Sequence, residues 1–232
     1  MNMISPIKKK INLKISNLLR SFGFEIRRVS TENRVQIEKR KTGSERDQNG
    51  YDQVWSNGRF VEQYGNDHKL YYEQLLKFVL QKNLIENMHT VADVGCGPGF
   101  WIKRLSETYP NSKLFGYDFS ESALEAAKRI CSTVDFFPHD IYDSLPQRFD
   151  VIFCCETLEH LLYPEKALSN VLDSVKVNCI LTVPDGRIDT YAGHINFWSE
   201  ESWRCFTMRW SEDWDIETLK LGTKLVAIFR RK

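Results

Sequence analysis

A short glycine-rich stretch, residues 91–100 (VADVGCGPGF), constrains the fold of this chain more than any other feature. An apolar run leads into it and a helix-like segment follows it, so the stretch predicts a strand, a tight turn and a helix. Gly95, Gly97 and Gly99 have no Cβ, which allows positive φ angles and lets a ligand approach the backbone closely. We therefore expect the turn to hold a small molecule.

The spacing of the turn excludes two common phosphate-binding loops. In the dinucleotide fingerprint, two residues separate the second and third glycines, whereas here Pro98 alone separates Gly97 from Gly99. A Walker loop needs a following Gly-Lys-Ser/Thr, and the sequence has none there. The predicted ligand is therefore neither NAD nor FAD, nor a nucleotide held by a Walker loop.

Length and composition are those of one globular domain with an N-terminal extension. The chain has 232 residues, of which 42% are hydrophobic and 27% charged. Six cysteines lack Cys-x-x-Cys spacing and predict reduced core residues. We expect a cytoplasmic protein, because no apolar leader is visible and nowhere do about 18 apolar residues run together.

The two ends of the chain differ in charge. Residues 1–50 hold 12 Lys/Arg and 5 Asp/Glu, a net charge of +7, and the remainder holds 20 and 26, a net charge of −6. Residues 6–22 place apolar side chains three and four apart between lysines, which predicts a basic amphipathic helix that ends at Gly23. This helix could dock on its own domain, on a second copy in a homodimer, or on the inner face of a membrane as a peripheral contact.

We therefore divide the chain into an extension with a linker, residues 1–50, and a domain, residues 51–232. Residues 51–87 are helical in pattern and rich in aromatics, which form either core or a lid over a ligand. After the glycine turn, strands alternate with helices, a pattern typical of an α/β fold with a mostly parallel sheet and helices on both faces. The expected strands are 24–29, 113–119, 134–140, 149–156 and 179–185, the expected helices are 121–131, 164–175 and 200–208, and segments 214–221 and 224–230 form a terminal antiparallel hairpin.

Polar residues stand where the predicted strands end. Ligands of open α/β sheets lie at the carboxyl ends of the strands, near the point where strand order reverses. Asp118 follows Gly95 by 23 positions and could accept hydrogen bonds from a ribose diol. Asp140 could meet an exocyclic amine while Ile141 packs on a base, and Glu156 and Asp185 end the next two strands.

Four of these segments together resemble the successive motifs of class I S-adenosylmethionine-dependent methyltransferases: residues 91–100, 117–120 (YDFS), 139–141 (HDI) and 149–160 (FDVIFCCETLEH). The resemblance covers about residues 60–232 and implies a Rossmann-like seven-stranded sheet, with six parallel strands and one antiparallel strand. It implies S-adenosylmethionine as cofactor, held at its methionine end by Gly95, Cys96, Gly97 and Gly99, at its ribose by Asp118, and at its adenine by Phe119, Ile141 and Asp140. Asp93 would orient the turn or reach the ammonium group of the cofactor through water.

Two histidines are candidates for the chemistry. His160 follows the fourth strand and His194 lies in the loop after the fifth, so both should face one crevice. A neutral histidine could accept the proton of an acceptor hydroxyl. Glu156, Glu159, His160 and His194 also resemble the metal ligands of small-RNA 3′-end 2′-O-methyltransferases and, in part, of metal-assisted ubiquinone-pathway O-methyltransferases, which implies Mg²⁺, Mn²⁺ or Zn²⁺. The same pattern occurs in small-molecule methyltransferases without a known metal, where the glutamate caps a turn and the histidine lines the acceptor pocket.

The acceptor is the open question. Residues 22–28 and 193–199 are similar to bacterial methyltransferases of surface-polysaccharide and other glycan assembly, which implies O-methylation of a sugar hydroxyl. The aromatic and polar loop with Tyr191, Asn196, Trp198 and Trp203 would suit a sugar, although tryptophans at 198, 203, 210 and 214 could equally be core.

Two further functions fit the sequence. A metal-dependent RNA 2′-O-methyltransferase, or a quinone-pathway enzyme, fits the Glu-x-x-Glu-His pattern, and the basic extension favours RNA, whereas the acidic body does not. The second alternative is a non-catalytic protein with this cofactor fold, which residues 6–22 recruit to a membrane-associated assembly.

Overall fold

The computed structural model describes residues 24–28, 35–39, 48–191 and 193–232. Near the N-terminus, strands β1 (Phe24–Arg28) and β2 (Val35–Lys39) pair antiparallel in a two-stranded sheet. The strand predicted at 24–29 is thereby confirmed. The amphipathic helix predicted at 6–22 and most of the predicted linker lie outside the described residues.

Two helices precede the glycine turn, as the aromatic segment predicted. Helix α1 spans Gln48–Trp55 and helix α2 spans Gly58–Gln81. Asn57 caps α2, because its side-chain oxygen accepts hydrogen bonds from the backbone N–H groups of Arg59 at 3.1 Å and Phe60 at 3.2 Å. The capped start fixes where α1 ends and the long helix begins.

From residue 90 onward strands and helices alternate as predicted. The elements in order are β3 (Thr90–Val94), α3 (Phe100–Thr108), β4 (Lys113–Asp118), α4 (Glu121–Ile130), β5 (Asp135–Pro138), β6 (Phe149–Cys155), α5 (Pro164–Asp173), β7 (Val175–Pro184), α6 (Glu200–Thr207), β8 (Trp214–Leu221) and β9 (Lys224–Arg231). Short 3-10 turns at Leu158–His160 and Met208–Trp210 follow β6 and α6. Ser120 caps α4 through its side chain, and Pro164 opens α5 where its missing N–H costs nothing.

Strands β3 to β9 form one seven-stranded sheet in the order β5-β4-β3-β6-β7-β9-β8. The pairs among β5, β4, β3, β6 and β7 are parallel, and β9 runs antiparallel to both of its neighbours. Six strands therefore share one direction and one opposes them, which confirms the expected Rossmann-like sheet with its terminal hairpin. Strand order reverses between β3 and β6, so the predicted ligand site lies at the carboxyl ends of these two strands.

Alternating side chains of the sheet build two apolar layers. Val91 and Val151 join the layer of α2, α3 and α4, whereas Ala92 and Ile152 join the layer of α5 and α6. Five of the six cysteines are buried, as predicted, and Cys205 is exposed. The longest described helix has 24 residues, and no helix within the described ranges has the length and apolar character needed to cross a bilayer.

Candidate functional site

The glycine turn has the backbone conformation that its composition predicts. Gly95, Gly97 and Gly99 have φ angles of +76°, +50° and +80°. The backbone N–H groups of Gly95 and Cys96 both donate to the carbonyl oxygen of Tyr117 at the end of β4, at 2.8 and 3.0 Å. A Cβ on Gly95 would collide with the side chain of Thr157, so both conformation and space require glycine at that position.

Asp118 ends β4 and faces the turn. Its carboxylate accepts hydrogen bonds from the backbone N–H of Gly97 at 2.8 Å and of Ser120 at 2.9 Å. Burial raises the pKa of Asp118 to about 6, against the lowering effect of these two hydrogen bonds. On the neighbouring strand β3, burial and the nearby Asp118 raise the pKa of Asp93 to about 8. This end of the sheet therefore holds two buried carboxyl groups with raised pKa values.

The residues predicted to hold the cofactor converge on one cavity of about 970 Å³. This volume lies at the upper end of the range for small-molecule sites, which leaves room for a second ligand. The predicted residues that line the cavity are Asp93, Gly95, Cys96, Gly97, Asp118, Phe119, Asp140 and Ile141. Gly99 does not line it; a Cβ there would lie 3.0 Å from the Cβ of Ala127, so Gly99 serves the packing of α3 against α4.

Helix α1 covers two parts of this cavity, the half lined by the glycine turn and Asp118 and the half lined by His160 and His194. The ring centroid of Tyr51 lies 5.2 Å from that of Phe119 and 6.0 Å from that of His160. Asp52 fixes the helix to the start of α4, since its carboxylate accepts hydrogen bonds from the Ser120 hydroxyl at 2.6 Å and from the Ser122 hydroxyl at 2.9 Å. The aromatic residues of this region predicted a possible lid over a ligand. Asp52 was not predicted, because it belongs to no recognisable motif.

His160 and His194 meet in the far half of the cavity, as predicted. Their ring centroids lie 4.6 Å apart. Nδ1 of His160 lies 3.2 Å from the carbonyl oxygen of Gly193, and Nδ1 of His194 lies 2.5 Å from Oδ2 of Asp189. Asp189 was not predicted; the signal available was an aspartate five residues before a candidate histidine in one loop.

Glu159 lines the same cavity as the two histidines. Its side chain is 1% exposed, and within the described part of the chain neither carboxylate oxygen has a hydrogen-bond partner. Nε2 of His194 approaches Oε1 of Glu159 to 3.8 Å. Burial, together with the charge of Glu156, raises the pKa of Glu159 well above its ordinary value. Glu159, His160 and His194 each offer a ligand atom within 4.8 Å of the other two, so three of the four predicted metal ligands come together.

Glu156, the fourth predicted ligand, is engaged elsewhere. It has a φ angle of +56°, a left-handed conformation that is uncommon for a residue with a side chain. Its carboxylate pairs with the ammonium group of Lys224 and accepts a hydrogen bond from the Thr182 hydroxyl at 3.3 Å. Lys224, at the start of β9, was not predicted and is the counter-charge of Glu156.

The predicted sugar-binding loop divides between cavity and core. Tyr191 lines the cavity and is 45% exposed. The side chain of Asn196 donates to the carbonyl oxygens of Leu158 and Leu161 at 3.2 and 2.6 Å, so it fixes the loop that carries His160. Trp198 and Trp203 are buried and pack on one another, in agreement with the core alternative.

The part of the chain that carries the glycine turn and the following strands is similar in sequence to known proteins. Residues 92–181, less than half of the chain, match the family described as "Methyltransferase domain". The chain is 30% identical to the ubiquinone biosynthesis O-methyltransferase of Coxiella burnetii over 112 residues, 44% of each protein. It is 26% identical to the malonyl-[acyl-carrier protein] O-methyltransferase of Bacillus anthracis over 123 residues, 52% of this chain and 46% of the relative. The matches thus span less than half the length of these curated relatives.

The solved structures agree with the fold. The magnesium protoporphyrin IX methyltransferase of Synechocystis PCC 6803, with bound S-adenosylmethionine, matches at a TM-score of 0.58 and 17% identity, over 76% of this chain and 85% of that one. At this identity the match establishes the fold, and the substrate in its name describes that protein.

Proposed function

Because the chain carries a class I S-adenosylmethionine-dependent methyltransferase domain, we propose that the protein transfers the cofactor's methyl group to a hydroxyl of a small-molecule or glycan acceptor. One observation carries the proposal. A single cavity joins the glycine turn and Asp118, on one side, to His194 and its partner Asp189 on the other. A methyl donor and an acceptor held in those two halves would meet between them.

The residues of the cofactor half bind and orient. S-adenosylmethionine, when bound, supplies an activated methyl group, and attack by an acceptor oxygen breaks its carbon–sulfur bond and leaves S-adenosylhomocysteine. Asp118 would accept hydrogen bonds from its ribose, Phe119 and Ile141 would enclose its adenine, and Asp140 would meet the adenine amine. Tyr51 and α1 exclude water from above, which favours transfer to the acceptor over hydrolysis.

His194 receives the proton that leaves the acceptor hydroxyl. A carboxylate can only accept a hydrogen bond, so the Nδ1 atom of His194 donates to Asp189, and in the neutral ring Nε2 is the atom that can accept a proton. His160, held by the Gly193 carbonyl, lines the same space and positions the acceptor.

Calorimetry with S-adenosylmethionine tests the first half of this proposal, and transfer of a tritiated methyl group tests the second. Wild-type protein should bind the cofactor, and Asp118→Ala should bind it far more weakly; unchanged binding would remove the basis of the proposal. Transfer should be measured to sugar nucleotides, lipid-linked glycans, quinone precursors and small RNAs.

A sugar hydroxyl in glycan or surface-polysaccharide assembly is the acceptor we propose, on the resemblance of residues 22–28 and 193–199. A quinone-pathway phenol is the second candidate, supported by the similarity to the Coxiella enzyme and by apolar side chains at the cavity mouth. Leu162, Ile188 and Tyr191 line the cavity and are 56%, 51% and 45% exposed, which suits an acceptor with an apolar tail. Transfer to a quinone precursor but to none of the sugars would favour this second candidate.

A divalent ion is a further possibility at Glu159, His160 and His194. These residues fit one: they are N and O ligands, each histidine is fixed through Nδ1 by Gly193 or Asp189, and the Glu159 oxygens lack partners within the described residues. Bound there, Mg²⁺, Mn²⁺ or Zn²⁺ would lower the pKa of an acceptor hydroxyl. Transfer to small RNAs that EDTA abolishes and Mn²⁺ restores would favour the RNA 2′-O-methyltransferase alternative.

The extension carries the remaining proposals. We infer a cytoplasmic protein in which residues 6–22 make peripheral contact with the inner membrane face, and a homodimer is the alternative use of the same apolar stripe. Flotation with anionic vesicles, compared between the full chain and a chain without residues 1–22, tests the membrane contact. Equal flotation of the two proteins would exclude membrane contact through residues 6–22. The homodimer would then be the proposed role of the apolar stripe, and light scattering measures it.

A further inference from the structure

Acidic side chains far outnumber lysine and arginine on the cavity wall. Among the described residues that line it are eight aspartates and glutamates and one lysine, Lys224, with no arginine. Asp93, Asp118 and Asp140 belong to the cofactor half. Five carboxylates remain for the acceptor half: Asp67, Glu156, Glu159, Asp185 and Asp189. Since Lys224 is already paired with Glu156, the described wall offers no free lysine or arginine to an anionic acceptor.

Glu159 differs from the other acceptor-half carboxylates. Asp185 accepts a hydrogen bond from Lys220 at 2.6 Å, Asp189 lies 2.5 Å from His194, and Asp67 accepts from Gln63 at 2.7 Å. Glu159 is 1% exposed and, in the part of the chain that the structure describes, both of its oxygens lack a hydrogen-bond partner. Burial without a partner disfavours the ionised form of a carboxyl group, and a cationic ligand group would supply the missing partner and stabilise that form.

Aromatic rings surround the same space. The Tyr191 ring lies 4.9 Å from the His194 ring and 6.3 Å from the His160 ring, measured between centroids. The Tyr51 ring lies 6.0 Å from the His160 ring. Tyrosine faces attract cations, and a carboxylate combined with aromatic faces is a recurrent way to bind an ammonium group.

From these observations we infer that the acceptor is a hydroxyl compound with a protonated amine, which lies against Glu159 near Tyr51 and Tyr191. Among glycans this class is an amino sugar whose nitrogen is not acylated. Acylation would remove the positive charge, and a phosphate would add a repelled negative one. The inference rests on the proposed function, because it concerns the acceptor half of the same cavity.

The test uses the full chain saturated with S-adenosylhomocysteine, and calorimetry with four matched probes: glucosamine, glucose, N-acetylglucosamine and glucosamine 6-phosphate. Glucosamine should bind at least about tenfold more tightly than each of the others. In Glu159→Gln, which keeps the shape of the side chain, the preference should fall to nearly one. Glu165→Gln is the matched control, because Glu165 is exposed, pairs with Arg209 and does not line the cavity.

Binding of S-adenosylhomocysteine distinguishes failure of the proposed function from failure of this inference. If neither form of the cofactor binds to wild-type protein, the proposed function itself fails. If S-adenosylhomocysteine binds equally to wild type and to Glu159→Gln, the variant is folded and the probe results decide the inference. Equal binding of glucose or N-acetylglucosamine, absence of glucosamine binding, or a preference that survives in Glu159→Gln would overturn it. So would Mn²⁺ binding that Glu159→Gln abolishes, without any amine preference.

Discussion

The carboxylate of Asp189 lies 2.5 Å from Nδ1 of His194, and this contact fixes which nitrogen of the ring remains available to the acceptor. Both residues belong to the loop after β7, and the second oxygen of Asp189 is held by the backbone N–H of Tyr191 at 3.0 Å. His194 is therefore oriented by a carboxylate that is itself fixed, as a general base requires.

Asp189→Asn should lower kcat by roughly 100-fold, because an amide can donate to Nδ1 and favour the tautomer that is protonated at Nε2. KM for S-adenosylmethionine should change little, since Asp189 lies outside the cofactor half. Steady-state kinetics with the best acceptor from the panel measures both constants.

The double variant Asp189→Asn/His194→Gln distinguishes orientation from a general structural loss. If Asp189 acts through His194, the double variant should be no slower than His194→Gln alone. Additive losses in kcat would show that Asp189 has a role independent of His194.

Cofactor affinity should depend on pH through Asp118. Its pKa is raised to about 6, and the ionised carboxylate is the form that accepts hydrogen bonds from a ribose diol. Affinity for S-adenosylhomocysteine should therefore fall as the pH drops below 6, by up to about tenfold per pH unit. Calorimetry from pH 5 to 8 measures this dependence, and Asp118→Asn should bind weakly with a flatter profile. A wild-type affinity that is independent of pH would contradict the assignment.

The sheet was predictable because each strand and helix is specified by residues that are close together in the sequence. Residues 91–100 predict a strand, a turn and a helix, and the alternation of strands and helices after them predicts a parallel sheet. The positions of Asp118 and Asp140 at strand ends followed from that sheet. Asp52 and Lys224 were not predictable, because each acts through a partner that is distant in sequence and that folding brings near: Ser120 and Ser122 for Asp52, and Glu156 for Lys224. Asp189 is only five residues from His194, but the sequence alone does not show that the two side chains meet. Trp198 and Trp203 show the reverse, since an aromatic loop pattern cannot distinguish a ligand wall from a core.

Asp93→Asn should stabilise the protein without cofactor at neutral pH. The pKa of Asp93 is about 8 in the folded chain and 3.8 as an ordinary value, so folded protein binds this proton more tightly than unfolded protein does. Protonated Asp93 makes its full contribution to the free energy of unfolding below pH 3.8, and this contribution is lost as the pH rises toward 8. The difference in free energy of unfolding between the variant and wild type should grow by about 1 kcal/mol per pH unit between pH 5 and 8. Urea denaturation at each pH measures it; a difference that stays constant would mean that Asp93 is ionised in the folded protein.

Lys224→Met should destabilise the fold by about 3 kcal/mol, because it leaves the buried Glu156 carboxylate without its counter-charge. Lys224→Met/Glu156→Gln should recover most of that loss, since it removes both charges. The matched control is Lys82→Met. Lys82 pairs with Glu217 at the surface, where the side chains are 40% and 34% exposed, so its loss should cost less than about 1 kcal/mol. A double variant as unstable as Lys224→Met would show that packing, rather than the unpaired charge, dominates.

Asp52→Ala should open the cover over the cofactor. The Asp52 carboxylate joins α1 to the start of α4 through Ser120 and Ser122, and α1 carries the Tyr51 ring that lies over Phe119. Loss of these hydrogen bonds should raise the dissociation rate of S-adenosylhomocysteine by roughly tenfold and change the association rate much less. Stopped-flow fluorescence measures both rates. Ser56→Ala is the control within the same region, because the Ser56 hydroxyl bonds the carbonyl oxygen of Gln53 in α1 itself and holds no other element. Equal dissociation rates in wild type and Asp52→Ala would show that α1 does not retain the cofactor, and the aromatic residues of α1 would then act as core.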